Sequence, residues 1–571
     1  MWMPAIGQPT IDFGPASNVS NTTTGTARSD YVLVVDQTTL EKLHVVTYAD
    51  GPNGQRDIYV RHSTDGLSWS AAMNISNTAG QTNVVGDFGN SHRPAIAADG
   101  DEVLVVWNDR YCPGGSQGSY SPDGVPTGFA CIWIARSTDA GRSWSAAEQI
   151  TDGSRDAINQ FPAAGPAGIA LAWQEDPDGV PQGGSEGASG ASGNPGTDIH
   201  YTALSKADFS AVTAFPAPVE VSDNVSTASG QPRATRPNLQ LVGSIALLAY
   251  EETKLGAQGK DVIWHDFSFL APPSGSAGSI LNQASEENAR RVRVVAQSVA
   301  EAGPAGATAM VLWRQGVGTQ DAPADLMMRR ATGGYGIVQF DDVVNLSGAT
   351  LDEPTDFSPD DSIRGHRGIL DGSFAAVVFI HTPSEADRAL QLANYNVTTR
   401  RSFDGGQSWT AARNVSQVAD LTRTAFAPRI VATPPTIPTG DAMDVRNGDV
   451  YFLAWDTREN LPDIDESAQR YDAFAAITTN RGGRFSAPVP IADSASAEWE
   501  AGLQAWPSGE IVCAIWKQRD PGDPAQTWFR CGQRGQLPAL AVPVAGPWSV
   551  LILIIALWLA TRRHGLGART H

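Results

Sequence analysis

The chain has 571 residues, more than one small core organises, and it is rich in Gly (57), Pro (37) and Trp (16). That composition suits many short strands joined by turns. Lys and Arg number 40 against 61 Asp and Glu, a formal charge of −21, which repels phosphate backbones and excludes nucleic acid as a partner. The His and Cys residues show no metal-ligand spacing, and no Gly-rich phosphate loop or nucleophile elbow occurs, so neither metal nor cofactor is expected.

Residues 1–9 read as a tail, followed by a strand-like stretch, "FGPASNVS", from Phe13 to Ser20. One apolar run ending in an aromatic then recurs along the chain: "LHVVTYAD", "VLVVWND", "IALAWQED", "IALLAYEE", "MVLWRQ", "AVVFIH", "YFLAWDT" and "VCAIWKQ". Its aromatics are Tyr48, Trp107, Trp173, Tyr250, Trp313, Phe379, Trp455 and Trp516, spaced 59 to 77 residues apart. Near-constant spacing over eight copies predicts eight similar units. Each unit holds about four strand candidates; in the second they are "PAIAA", "EVLVVWN", "CIWIARS" and "AEQIT". Four-stranded units around an axis are propeller blades. The expectation is an all-β propeller over residues 10–536, eight-bladed with seven as the alternative. The last unit has only three strands before Cys531, so the N-terminal strand is expected to complete it and close the ring, leaving no free sheet edge at the seam. The Gly/Ser-rich Pro181–Gly196 lengthens one unit as a loop that buries no core.

Between the third and fourth strands of three units lies a second motif. "STDGLSW" runs from Ser63 to Trp69 with Asp65 inside it; "STDAGRSW" holds Ser137, Asp139, Gly141 and Trp144; "SFDGGQSW" holds Ser402, Asp404, Gly406 and Trp409. "TTNRGGRF" (Thr478 to Phe485) is a decayed fourth copy. The Asp can accept backbone N–H bonds in a tight turn, Gly supplies positive φ, and Trp packs the turn onto its blade. These residues are therefore read as structural. "NIS", "NLS" or "NVS" closes the fourth strand at Asn74, Asn345 and Asn414 and recurs at Asn18. The string matches a glycosylation sequon, but its recurrence at one repeat position favours a structural role.

Chemistry in a propeller gathers where innermost strands begin and second strands end. Innermost strands open with Arg93, Arg236 and Arg367; second strands end with Asp109, Glu175, Glu251, Glu252 and Asp456, with Arg458 close behind. Arginine forks suit a carboxylate ligand. The alternative is cross-channel pairing of Arg with Asp109, Glu175 and Glu252 that merely fixes the ring. The acidic stretches Asp352–Asp361 and Asp463–Asp472 are candidate cation loops or solvated loops.

The S-x-D-x-G-x-[ST]-W turns resemble the Asp-boxes of sialidase-like (BNR) propellers. In that superfamily an arginine triad grips a sugar carboxylate, an Asp is acid/base and a Tyr activated by a Glu is the nucleophile. Only Arg93 matches the family's Arg-Ile-Pro element, without its middle residue, and no Tyr–Glu pair is assigned. The resemblance implies either a propeller that binds glycan or a surface protein without catalysis, or an exo-sialidase-like hydrolase of anionic sugars.

Four cysteines form two local pairs, Cys112 with Cys131 and Cys513 with Cys531, read as hairpin disulfides of an exported protein or, in a cytosolic one, as free thiols. Residues 537–571 form a linker, an uncharged apolar stretch from Val542 to Ala560, and a basic end at Arg562 and Arg563. The stretch approaches bilayer thickness, and the arginines place the propeller outside. A membrane anchor over 542–561 and a cell-envelope location are expected. The tail resembles bacterial protein-sorting tails of the IPTL and PEP type, which implies a sorting peptidase as partner and a tail open to cleavage. Met1–Gly14 has neither a basic nor an apolar run, so the export leader of such a protein is expected elsewhere, through a misassigned start or a fragment.

Overall fold

The computed structural model describes residues 9–535 apart from internal segments, the longest being 180–193, 348–361, 383–394, 434–448 and 460–470. Eight antiparallel sheets of essentially four strands follow one another along the chain as blades 1 to 8. The innermost strands are Thr26–Val35, Ser91–Asp99, Asp156–Gly165, Ala234–Val242, Asn288–Ala296, Ser362–Asp371, Arg423–Ala432 and Ala497–Ala505. Eight sheets settle the blade number. Each second strand is buried on both faces between neighbouring blades, which is why it reads as a continuous apolar run; all of Glu102–Asp109 is buried. All eight repeat aromatics are at most 1 % exposed, so the periodicity seen in the sequence is the periodicity of the blade cores.

Blade 8 is built from both ends of the chain. Ile11–Phe13 pairs antiparallel with the strand Gln526–Arg534, Ile11 opposite Arg534 and Phe13 opposite Gly532. Ser17 and Asn18 continue the ladder opposite Phe529 and Trp528. The Thr527 N–H then donates to Ser20 Oγ at 2.9 Å. The same bond closes blade 1 (Ile58 N–H to Ser76 Oγ, 2.9 Å), blade 5 (Leu326 to Ser347, 3.0 Å) and blade 6 (Val397 to Ser416, 3.0 Å). The recurrent Asn-x-Ser is thus a strand-pairing device whose Ser satisfies a buried N–H. Its Asn is engaged as well: Asn74 Nδ2 donates to Asp57, and Asn345 is buried.

The three Ser-x-Asp turns fold alike. Asp139 Oδ1 accepts from the Ser143 N–H (2.8 Å) and Ser137 Oγ (2.7 Å), and Asp404 Oδ1 from the Ser408 N–H (2.9 Å) and Ser402 Oγ (2.7 Å). In the shorter first copy Asp65 accepts from Leu67 and Ser68. These N–H bonds hold the Asp65 carboxyl down at about 2. Gly141 and Gly406 take φ of 87° and 90°, and each turn's Trp, Trp144 or Trp409, donates its indole N–H to that glycine's carbonyl at 3.1 Å. Trp69 instead donates to Ser17 Oγ at 2.9 Å, tying blade 1 to the closing strand. In the decayed copy Asn480 takes the place of the Asp, accepting from the Arg484 N–H at 2.8 Å.

Cys112–Cys131 and Cys513–Cys531 are both disulfides. Among the described residues no helix is long and apolar enough to cross a membrane. The sorting-like tail, the acidic stretch Asp352–Asp361 and most of Asp463–Asp472 lie outside the described residues.

Candidate functional site in the propeller channel

Every innermost strand carries a bulge one to four residues after it begins. In blade 2 the ladder skips from His92 to Ala95, leaving Arg93 and Pro94 unpaired. Blade 4 skips from Thr235 to Asn238 around Arg236 and Pro237, and blade 7 from Phe426 to Arg429 around Ala427 and Pro428. Proline suits the site because it has no N–H to leave unpaired. In six of the blades the first bulged residue is left-handed without being glycine: Arg93, Asn159, Arg236, Arg291, Ala427 and Glu500 have φ between 49° and 58°. Such residues are uncommon and cost of order 1 kcal/mol each. Each bulge bends its strand at the channel and re-aims side chains into it.

Two cavities occupy the channel. One, of about 310 Å³, is bounded by blades 1 to 5 and lined by Arg28, Arg93, Arg236, Arg291 and Arg293, with Asp30 and Glu251 as its carboxylates. The other, of about 370 Å³, is bounded by blades 5 to 7 and shares Arg291 and Arg293; Arg367, Arg429, Arg458, His366 and Thr424 are its other polar residues, and among the described residues no carboxylate lines it. The arginine concentration lies inside a chain of charge −21.

Arg93 and Arg236 thus line the first cavity and Arg367 the second. Arg367 does not occupy the position expected for it. The bulge of blade 6 falls between Ile363 and His366, so Arg364 holds the register place of Arg93 and Arg236. Arg367 sits where blade 1 has Asp30, the second paired residue after its bulge between Thr26 and Ser29.

The carboxylates are sorted differently from expectation. Glu251, not Glu252, meets Arg236 (3.7 Å), and it also accepts Lys260 Nζ at 2.9 Å and the Arg291 N–H at 2.7 Å. Burial pushes its carboxyl up, but Lys260 and Arg236 outweigh this and hold it at about 2. Alternation along the strand sends Glu252 to the opposite face, where it accepts from Asn224 at 2.9 Å and burial raises its pKa. Glu175 faces Arg155 (3.7 Å), His200 (3.4 Å) and the Trp173 indole (2.8 Å), and burial pushes it to about 7. Asp109 is fully buried between blades 1 and 2, where it accepts the Asn90 and Tyr111 N–H groups and Ser91 Oγ. None of Asp109, Glu175 and Glu252 lines either cavity. Asp456 lines neither as well; it accepts the Glu500 N–H at 2.9 Å and that of Ala501 at 3.3 Å, bracing the bulge of blade 8.

Glu251 and Asp456 therefore share a role that residue type alone does not disclose. Each ends a second strand and caps the bulge of the next blade. Gln174 does the same for Arg236, accepting its N–H at 3.3 Å.

Three arginines of the second cavity have unusual surroundings. Arg293 donates to the Val292 carbonyl at 2.9 Å, Arg367 to that of His366 at 2.7 Å, and Arg429 to those of Ala427 and Pro428 at 3.4 and 3.2 Å. Among the described residues no carboxylate pairs with any of the three. Burial, then the charges of Arg291 and Arg429, push the Arg293 guanidinium down to about 10. Burial and then Arg293, Arg429 and Arg291 also push the Arg367 guanidinium well down. The same burial, with Arg293 and Arg367 beside it, keeps His366 neutral. Asp30 and Asp456 feel Arg429, yet burial dominates and raises them to about 6 and about 7. A group of like charges in which, among the described residues, none makes a direct ion pair with a carboxylate is chemically suited to an anion that arrives from solution.

No tyrosine lines either cavity among the described residues. Tyr31, next to Asp30, turns away and bonds His44 Nδ1 at 2.8 Å in the core.

No protein-family model matches the chain, and no curated protein sequence matches it. Solved structures resemble it slightly. A sialidase of Trypanosoma rangeli, in complex with the inhibitor DANA, is 8% identical, with 86% of this chain and 61% of that one covered, so the chain spans about three fifths of it; the TM-score is 0.33. An alpha-L-arabinanase of Penicillium chrysogenum is 11% identical over 66% of this chain and 94% of its own, with a TM-score of 0.34. A protein of unknown function from Dyadobacter fermentans is 11% identical over 68% and 97%, with a TM-score of 0.32. Likeness of this degree carries no statement about activity or ligand.

Proposed function

We propose that the chain is an exported propeller, anchored at the cell envelope by residues 542–561, that binds an acidic glycan or an acidic group of a surface protein in its channel without catalysis. The observation that carries the reading is the cavity of blades 5 to 7, walled by five arginines and no described carboxylate. Arginine is permanently charged and presents a planar fork of donors, so such a wall holds oxyanions and rejects cations. The two disulfides support export, because they persist in oxidising compartments.

The test is a glycan array with the full chain, beside a fluorogenic sialoside assay. Acidic glycans should be retained, Arg367→Gln should lower retention about tenfold, in line with loss of one charged hydrogen bond, and the sialoside should stay intact. Retention of neutral glycans only would overturn the reading. Sialoside turnover would favour the hydrolase reading of anionic sugars instead.

A further inference from the structure

The cavity of blades 5 to 7 makes a demand on its ligand that the class "anion" leaves open. Three guanidinium groups, from Arg293, Arg367 and Arg429, come from three different blades, and among the described residues each is bonded only to main-chain carbonyls beside it. They are close enough to press on one another's ionisation. A carboxylate brings one negative charge in one plane. It can engage one fork in the bidentate manner, and it leaves the other two cations in mutual repulsion in a site with no described acid. A tetrahedral oxyanion presents oxygens in several directions and brings up to two charges. His366 also lines the cavity; its ring is 1 % exposed and is held against the main chain of Arg291 and Leu312. As a neutral imidazole it lines the wall without adding charge.

We infer that the cavity lined by Arg293, Arg367, Arg429 and His366 selects a doubly charged tetrahedral oxyanion, the phosphomonoester of a sugar or side chain, over a carboxylate. The inference rests on the reading of the channel as an anion site. The cavity of blades 1 to 5 differs in kind, since Glu251 and Asp30 already stand among its arginines. It would take the less charged body of the ligand, with Asn159 and Gln160 facing hydroxyl groups.

The test is calorimetric titration of the full chain with methyl phosphate, inorganic sulfate and acetate, at pH 5.5 and pH 7.5. Methyl phosphate loses its second proton near pH 6, so its binding should tighten several-fold at the higher pH. Sulfate, a dianion throughout, should bind at both and controls for titration of the protein. Acetate should bind at least tenfold more weakly than methyl phosphate at pH 7.5. Arg429→Gln and Arg367→Gln should each cost tenfold or more in methyl phosphate binding, whereas Arg142→Gln, in the Ser-x-Asp turn of blade 2 where it pairs with Asp36 and Glu41 and lines neither cavity, should change it less than threefold. Arg367→Lys keeps the charge but loses the fork, and serves if the Gln variants do not fold. Acetate binding as tightly as methyl phosphate would overturn the inference while leaving the anion site standing. Binding of none of the three would overturn both.

Discussion

Removing residues 1–20 tests the seam of the ring. The deletion strips the outer strand from blade 8, and with it Ile11, 2 % exposed, and Val19, fully buried. At about 2 kcal/mol per buried aliphatic side chain the pair contributes about 4 kcal/mol. The Thr527 N–H, in a residue with no exposed surface, loses Ser20 Oγ, and an orphaned buried donor costs about 1–3 kcal/mol. Trp69 also loses Ser17. The sum, roughly 6 kcal/mol, is comparable with the whole stability of a typical domain, about 5–15 kcal/mol. Urea unfolding followed by tryptophan fluorescence should therefore show a markedly lower midpoint or no folded baseline. Should the deletion not fold, Val19→Ala provides a graded version and should lower stability by about 1–3 kcal/mol. A deletion variant with the midpoint and slope of the full chain would refute the assignment of the seam.

Other perturbations separate the remaining roles. Asp456 is buried and its carboxyl is raised to about 7 against an unfolded value near 4. The folded state holds the proton more tightly, so the stability this group contributes is complete below about pH 4 and is lost as pH rises to about 7; Asp456→Asn should flatten thermal stability over that window. Asp404→Ala should cost about 1–2 kcal/mol in a denaturant melt by freeing the Ser408 N–H, and Asp404→Asn much less, because Asn480 fills the equivalent place in blade 7. Mass spectrometry of unreduced peptides should show Cys112–Cys131 and Cys513–Cys531, and replacing either pair with Ser should lower stability by up to about 3 kcal/mol for loops of this length.

The blades were legible because their signal is burial. An aromatic that must fill the space between two sheets, such as Trp107 or Trp313, cannot drift far along its strand, so its spacing repeats. The closing strand was legible for a related reason: Ser20 repeats the bond of Ser76 and Ser416, and the repeat shows as Asn-x-Ser. The bulges were not legible. Their left-handed residues are Arg, Asn, Ala and Glu rather than Gly, so the position carries no residue-type mark beyond the prolines 94, 237 and 428. Without the bulge the register of blade 6 is displaced, and Arg367 is taken for the counterpart of Arg93. The carboxylates fail for the complementary reason. A strand alternates faces, so Glu251 and Glu252 look equivalent in sequence, and only the register decides which of them reaches Arg236.

The same bulges connect fold to function. A left-handed residue other than glycine persists only where its surroundings hold it, and here the hold comes from the preceding blade: Gln174 for Arg236, Glu251 for Arg291, Asp456 for Glu500. The side chains lining the channel are therefore positioned by residues one blade away. This couples neighbours around the ring. Glu251 is the clearest case, since one carboxylate braces the Arg291 backbone, approaches the Arg236 guanidinium and meets Lys260. Its loss would disturb both cavities at once, because Arg291 lines each of them. A channel assembled in this way can change its lining residues freely at the bulge tips, where Arg, Asn and Glu are all accommodated, while the capping residue on the neighbouring blade keeps the backbone in place. The concentration of arginines in blades 4 to 7 is then a property of the site, since the strand geometry that presents them does not require arginine.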